Sequence, residues 1–149
     1  MIDLKKLSEQ LTLHEGMKCF PYVDTVGKMT IGVGRNLTDR GLTKEECNHL
    51  LQNDIQMSLI ELQQHFPWFD RLEDTRQMAL IDMHFNIGMN RLKSFKNTLR
   101  LIQETLMGDA TWSDVAKEML NSKWATQVGK RAETLAKMME LGDNYDHSQ

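Results

Sequence analysis

Three polar residues in the stretch LTLHEGMKCFPYVDTVGKMTIGVGR (11–35) have the types and spacing to act together: Glu15, Asp24 and Thr30. Two carboxyl groups in different surroundings can divide the work of cleaving a glycosidic bond. One, protonated, gives its proton to the leaving oxygen; the other, ionised, stabilises positive charge or activates water. A hydroxyl beside the second carboxylate would help to hold that water. Glu15 stands where a first helix should end, a place where the peptide carbonyls disfavour negative charge, and partial burial would act in the same direction. The same residues also have a plain structural reading. Acids nine positions apart are common, an aspartate before a turn is turn chemistry, and threonine suits a strand. Spacing alone leaves both readings open.

The elements that would have to position them can be read from periodicity. Residues 3–14 predict a helix, with Leu4, Leu7 and Leu11 on one stripe and Gly16 as its stop. The runs KCFPYVD and KMTIGVG, separated by TVG, predict a hairpin, and GRNLTDRG adds turns and a short third strand. A hairpin of this kind would bring Asp24 and Thr30 close across the strands, in a register that depends on loop length. Thr43 and Glu46 form a T-x-x-E capping box that opens a helix over about 44–66, roughly 35 Å long and ended by Pro67. Helices follow at about 75–87, 94–107, 112–121, 123–128 and 130–141, punctuated by glycines and with Thr111 and Asp114 as a further capping pair. The expected fold is α+β and mainly helical. A β-containing lobe (about 14–43) and a connecting helix (about 44–66) precede a helical lobe (about 67–149, together with 1–13), all within one domain.

Composition narrows the function classes. The chain has 149 residues, 40% apolar and 26% charged, with a formal net charge of −3, an ordinary balance for a packed domain. Cys19 and Cys47 make no metal-ligand pattern, and we expect them to be reduced, partly buried thiols. The five histidines form no HExxH, so no metal site is expected. No apolar run reaches membrane-spanning length, and the N-terminus lacks a signal-peptide core. The tract RLKSFKNTLR (91–100) carries Arg91, Lys93, Lys96 and Arg100 without an acid. It reads as a solvated basic face, and without interleaved aromatics it does not indicate nucleic acid.

The letters around the three residues are more specific than their spacing. HEG followed by YVDTVGKMTIGVGR closely resembles the catalytic segment of the phage-type lysozymes, in which Glu, Asp and Thr recur with eight and then five residues between them. ALIDMHFNIGMNRLKSFKNTLRLI resembles that family's F-N-x-G … F-x-x-S/N-T-L helix pair, and SKWATQVGKRAETL resembles its closing helices. The three blocks stand in the family's order and span nearly the whole chain. One departure is Arg35, where some relatives carry His, so no His–carboxylate pair is expected there.

The resemblance implies a cofactor-free muramidase that cuts the β-1,4 bond between N-acetylmuramic acid and N-acetylglucosamine in peptidoglycan. Glu15 would be the proton donor, and Asp24 and Thr30 would position and activate water. Phe85 and Asn86 would line the sugar cleft, and Arg131 would approach the catalytic glutamate. It further implies a monomeric phage endolysin, held in the host cytoplasm until a separate holin opens the membrane and gives access to the periplasm and wall. Two alternatives share the fold: a lytic transglycosylase, which needs one glutamate without an aspartate partner, and a non-catalytic peptidoglycan-binding module. Asp24 and Thr30 speak for hydrolysis.

Overall fold

The computed structural model describes residues 1–148. In chain order it contains α1 (Leu4–Glu15), β1 (Lys18–Val23), β2 (Met29–Gly32), β3 (Arg35–Asn36), α2 (Lys44–His65), α3 (Asp74–Lys93), α4 (Lys96–Leu106), α5 (Trp112–Leu120), α6 (Lys123–Val128) and α7 (Lys130–Leu141). This is the expected α+β, mainly helical architecture. The chain divides into two compact units, Met1–Leu51 and Gln52–Gln149, and the division falls inside α2.

The first unit holds the sheet, three antiparallel strands in the order β1-β2-β3. Asp3 caps α1 by accepting the Lys6 N–H at 3.1 Å. Lys18 pairs with Gly32, and Tyr22 and Val23 pair with Thr30 and Met29, with an irregularity between the two stretches. On the far side of β2, Thr30 and Ile31 pair with Asn36 and Arg35. Thr43 and Glu46 close the expected capping box at the start of α2: the Thr43 N–H donates to Glu46 Oε1 (2.9 Å) and the Glu46 N–H to Thr43 Oγ1 (3.1 Å). Both cysteines are free, as expected, but exposed rather than partly buried. The reason is local, because β1 and the first turn of α2 bury no residue.

The second unit contains the hydrophobic core. Leu62 from α2, Leu80 and Met83 from α3, Ile102 from α4, Val115 and Met119 from α5, Trp124 from α6 and Leu135 and Met139 from α7 are all buried. The expected helix over 75–87 continues beyond its glycine. Gly88 takes φ +78° and ψ 169°, which breaks the helical course, but α3 resumes and runs to Lys93. Thr111 and Asp114 form a reciprocal capping box at the start of α5.

Candidate active site

Glu15 is the last residue of α1. The helix ends there because Gly16 adopts φ +74°, open to glycine without steric cost, while its N–H still donates to the Thr12 carbonyl at 2.8 Å. The Glu15 side chain is exposed, so the partial burial expected from sequence is absent. Its carboxylate lies across Gly34: a Cβ built on Gly34 would sit 3.1 Å from Glu15 Oε2 and 3.4 Å from Cδ. Together with Ser8, Leu11, Thr12 and Val33, these two residues line a cleft of about 380 Å³.

Asp24 follows the end of β1 and organises the turn into β2. Its Oδ1 accepts the Val26 N–H at 3.0 Å and the Lys28 N–H at 2.8 Å, and its own N–H donates to the Lys28 carbonyl at 2.8 Å. The structural and functional readings of Asp24 are therefore compatible, since one carboxylate oxygen serves the turn. Thr30 does not lie opposite Asp24; it pairs with Tyr22. Its side chain is 4% exposed, and its hydroxyl donates to the Lys28 carbonyl at 3.0 Å. Asp24 and Thr30 thus meet through one shared acceptor, the Lys28 carbonyl. Glu15 meets the sheet at the opposite end of β2, beyond Gly32, with about 10 Å of strand between the two ends.

A cation–carboxylate pair supports this sheet, although Arg35 stands where a histidine would occur in some relatives. The Arg35 guanidinium spans both oxygens of Glu46, at 2.8 Å to Oε1 and 2.7 Å to Oε2, and also donates to the Gly41 carbonyl at 3.2 Å. Glu46 is pulled down to about 2 from an ordinary 4.5, chiefly by the hydrogen bond from Arg35 and then by the Thr43 N–H. The T-x-x-E pattern disclosed the cap but not the arginine, which comes from a strand 11 positions earlier.

The remaining sequence-derived candidates lie in the second unit. Phe85 is 46% exposed and borders a cavity of about 280 Å³ with Asp54, Met57, Ser58, Glu61 and His84. Asn86 Oδ1 accepts the Trp124 indole N–H at 2.8 Å, which explains a polar residue between Phe85 and Ile87. Arg131 pairs with Asp82, Nε to Oδ1 at 2.8 Å, and also donates to the Asp82 carbonyl at 3.2 Å. Sequence reasoning passed over His84, which is buried with Nδ1 2.9 Å from Ser58 Oγ and Nε2 2.8 Å from Glu61 Oε2. Its partners sit on another helix, so neither spacing nor motif marked it. No group of three or more His, Cys, Asp or Glu among the described residues is arranged to hold a metal ion.

Comparison with known proteins adds a second line of observation. The family model described as phage lysozyme matches residues 12–139. Two Dictyostelium discoideum proteins, named "Probable T4-type lysozyme 1" and "Probable T4-type lysozyme 2", are 27% and 28% identical to the chain. Each alignment covers 93% of this chain and 96% of the relative. The pre-baseplate central spike protein Gp5 of Enterobacteria phage T4 is 26% identical over 92% of this chain and 28% of its own length.

Proposed function

The chain belongs to the phage lysozyme family, a family of glycoside hydrolases acting on peptidoglycan, and from that premise we propose that it is an endolysin with muramidase activity. The bond cut is the β-1,4 link from N-acetylmuramic acid to N-acetylglucosamine. Glu15, exposed at the end of α1 beside an open cleft, is the general acid that protonates the leaving oxygen. Asp24 holds the turn with one carboxylate oxygen and presents the other to water, while Thr30 fixes the carbonyl to which Asp24 is also bonded. Phe85 supplies an apolar face to the glycan. Asn86 accepts the Trp124 indole N–H and Arg131 pairs with Asp82, and both are assigned to substrate binding by their match to the family's motifs. The enzyme works as a monomer without a cofactor, and a holin releases it to the host wall at lysis.

The observation that carries this reading is the family match over 12–139, which spans Glu15, Asp24 and Thr30 in one compact unit. Mass analysis of muropeptides from Gram-negative peptidoglycan, digested with wild type and with Glu15→Gln, tests it. Wild type should release reducing N-acetylmuramic acid ends and Glu15→Gln none, while both melt at similar temperatures. Anhydro-muramic ends would make the enzyme a lytic transglycosylase. Glycan binding without cleavage by wild type would make it a binding module.

A further inference from the structure

The Glu15 carboxylate faces the short link between β2 and β3 at Gly34. After Gly32, the last residue of β2 and paired with Lys18, the chain reaches Arg35 through Val33 and Gly34, and both glycines occupy the left-handed region at φ +69° and +72°. Glycine enters that region freely and leaves it as freely, so the loop takes its shape from what anchors its ends. One end is β2, paired on both sides. The other is Arg35, the first of only two residues in β3. Backbone pairing across so short a strand is weak, and Arg35 is additionally tied by its side chain to the start of α2.

We propose that Arg35 and Glu46 form a positioning latch that holds Gly34 against the Glu15 carboxylate and so fixes the direction from which the acid faces substrate. Three observations carry this. The guanidinium grips both oxygens of Glu46 and the Gly41 carbonyl, a planar bidentate contact that sets orientation as well as distance. Glu46 is itself immobilised by the Thr43 N–H in the capping box, so the latch joins β3 to a rigid helix terminus. Gly34, adjacent in sequence to Arg35, makes the close approach to Glu15. The exposed carboxylate is held by this apposition rather than by burial. A displacement of about 1 Å at such a point is enough to lower turnover by up to about a hundredfold.

The inference rests on Glu15 being the general acid, and the test separates the two claims. Glu46→Gln retains a carbonyl oxygen for the Thr43 N–H but loses the charged grip on Arg35. Thr43→Ala removes the hydroxyl half of the cap and leaves the Arg35–Glu46 pair. Turnover and KM on soluble glycan strands are measured for each, alongside the Gly34 amide shift and the Glu15 carboxyl carbon shift by NMR. In Glu46→Gln, kcat should fall at least about tenfold with KM nearly constant, and both NMR signals should move. Thr43→Ala should lower the melting temperature but leave kcat and both signals near wild type. The charge-reversed double variant Arg35→Glu with Glu46→Arg should recover part of the lost turnover.

Unmoved Gly34 and Glu15 signals in Glu46→Gln, an unchanged kcat, or an equal loss of kcat in Thr43→Ala would each overturn the latch. Retained activity in Glu15→Gln would instead overturn the role of Glu15. The NMR signals would still decide whether the latch fixes the carboxylate.

Discussion

Glu46 does two jobs with one carboxylate, accepting the Thr43 N–H of the helix cap and the guanidinium of Arg35. Both stabilise its ionised form, which is why its carboxyl titrates near 2 in the folded chain against an ordinary 4.5. A depressed folded value contributes stability that is fully present above the unfolded value and lost as pH falls through the folded one. The difference in melting temperature between wild type and Glu46→Gln should therefore be constant above about pH 5 and shrink towards zero as pH approaches about 2. Differential scanning calorimetry from pH 2 to 7 checks this, and a difference independent of pH would contradict it. Asp24 Oδ1 closes the turn into β2, whatever its other oxygen does. Loss of activity in an Asp24 variant therefore has to be read beside its effect on folding.

At the scale of elements, the cap of α5 is the cleanest local determinant. Thr111 Oγ1 accepts the Asp114 N–H at 3.2 Å, and the Thr111 N–H donates to Asp114 Oδ2 at 3.0 Å. Thr111→Ala should cost about 1 kcal/mol, measured by urea denaturation, with the slope unchanged. Both capping boxes were legible from T-x-x-E and T-x-x-D because capping is a local matter of hydrogen-bond reach. The ends of α1 and α2 and the existence of the hairpin were legible for the same reason. The register of the hairpin was not. Asp24 Oδ1 accepts the Val26 and Lys28 N–H groups while its own N–H donates to the Lys28 carbonyl, which seats Thr25, Val26 and Gly27 as the loop and sets Thr30 opposite Tyr22. Gly88 looked like a stop and proved to be a kink, since the contacts that resume α3 involve residues distant in sequence. The partners of His84 and Arg35 were hidden because each pair joins two elements whose alignment only the folded chain defines. The motif singled out Glu15 as a candidate, whereas its seat against Gly34 was not legible.

In the molecule as a whole, apolar burial is distributed very unevenly. Leu80 is 1% exposed in the core of the second unit, whereas Leu13 on α1 is 82% exposed. Leu80→Ala should cost about 2–5 kcal/mol, and Leu13→Ala no more than about 0.5 kcal/mol, by equilibrium unfolding. Comparable losses at both sites would show that the first unit is stabilised by apolar contacts of its own. Among the described residues of Met1–Leu51, Thr30 is the one that is buried. Amide protons report such a division directly. Those of β1 and β2 should exchange with solvent deuterium through brief openings limited to this unit, while those of Leu80, Ile102 and Leu135 wait for global unfolding. The residues proposed to carry the chemistry would then lie in the part of the chain that opens most readily, and the slow-exchanging helices would keep their protection through each opening.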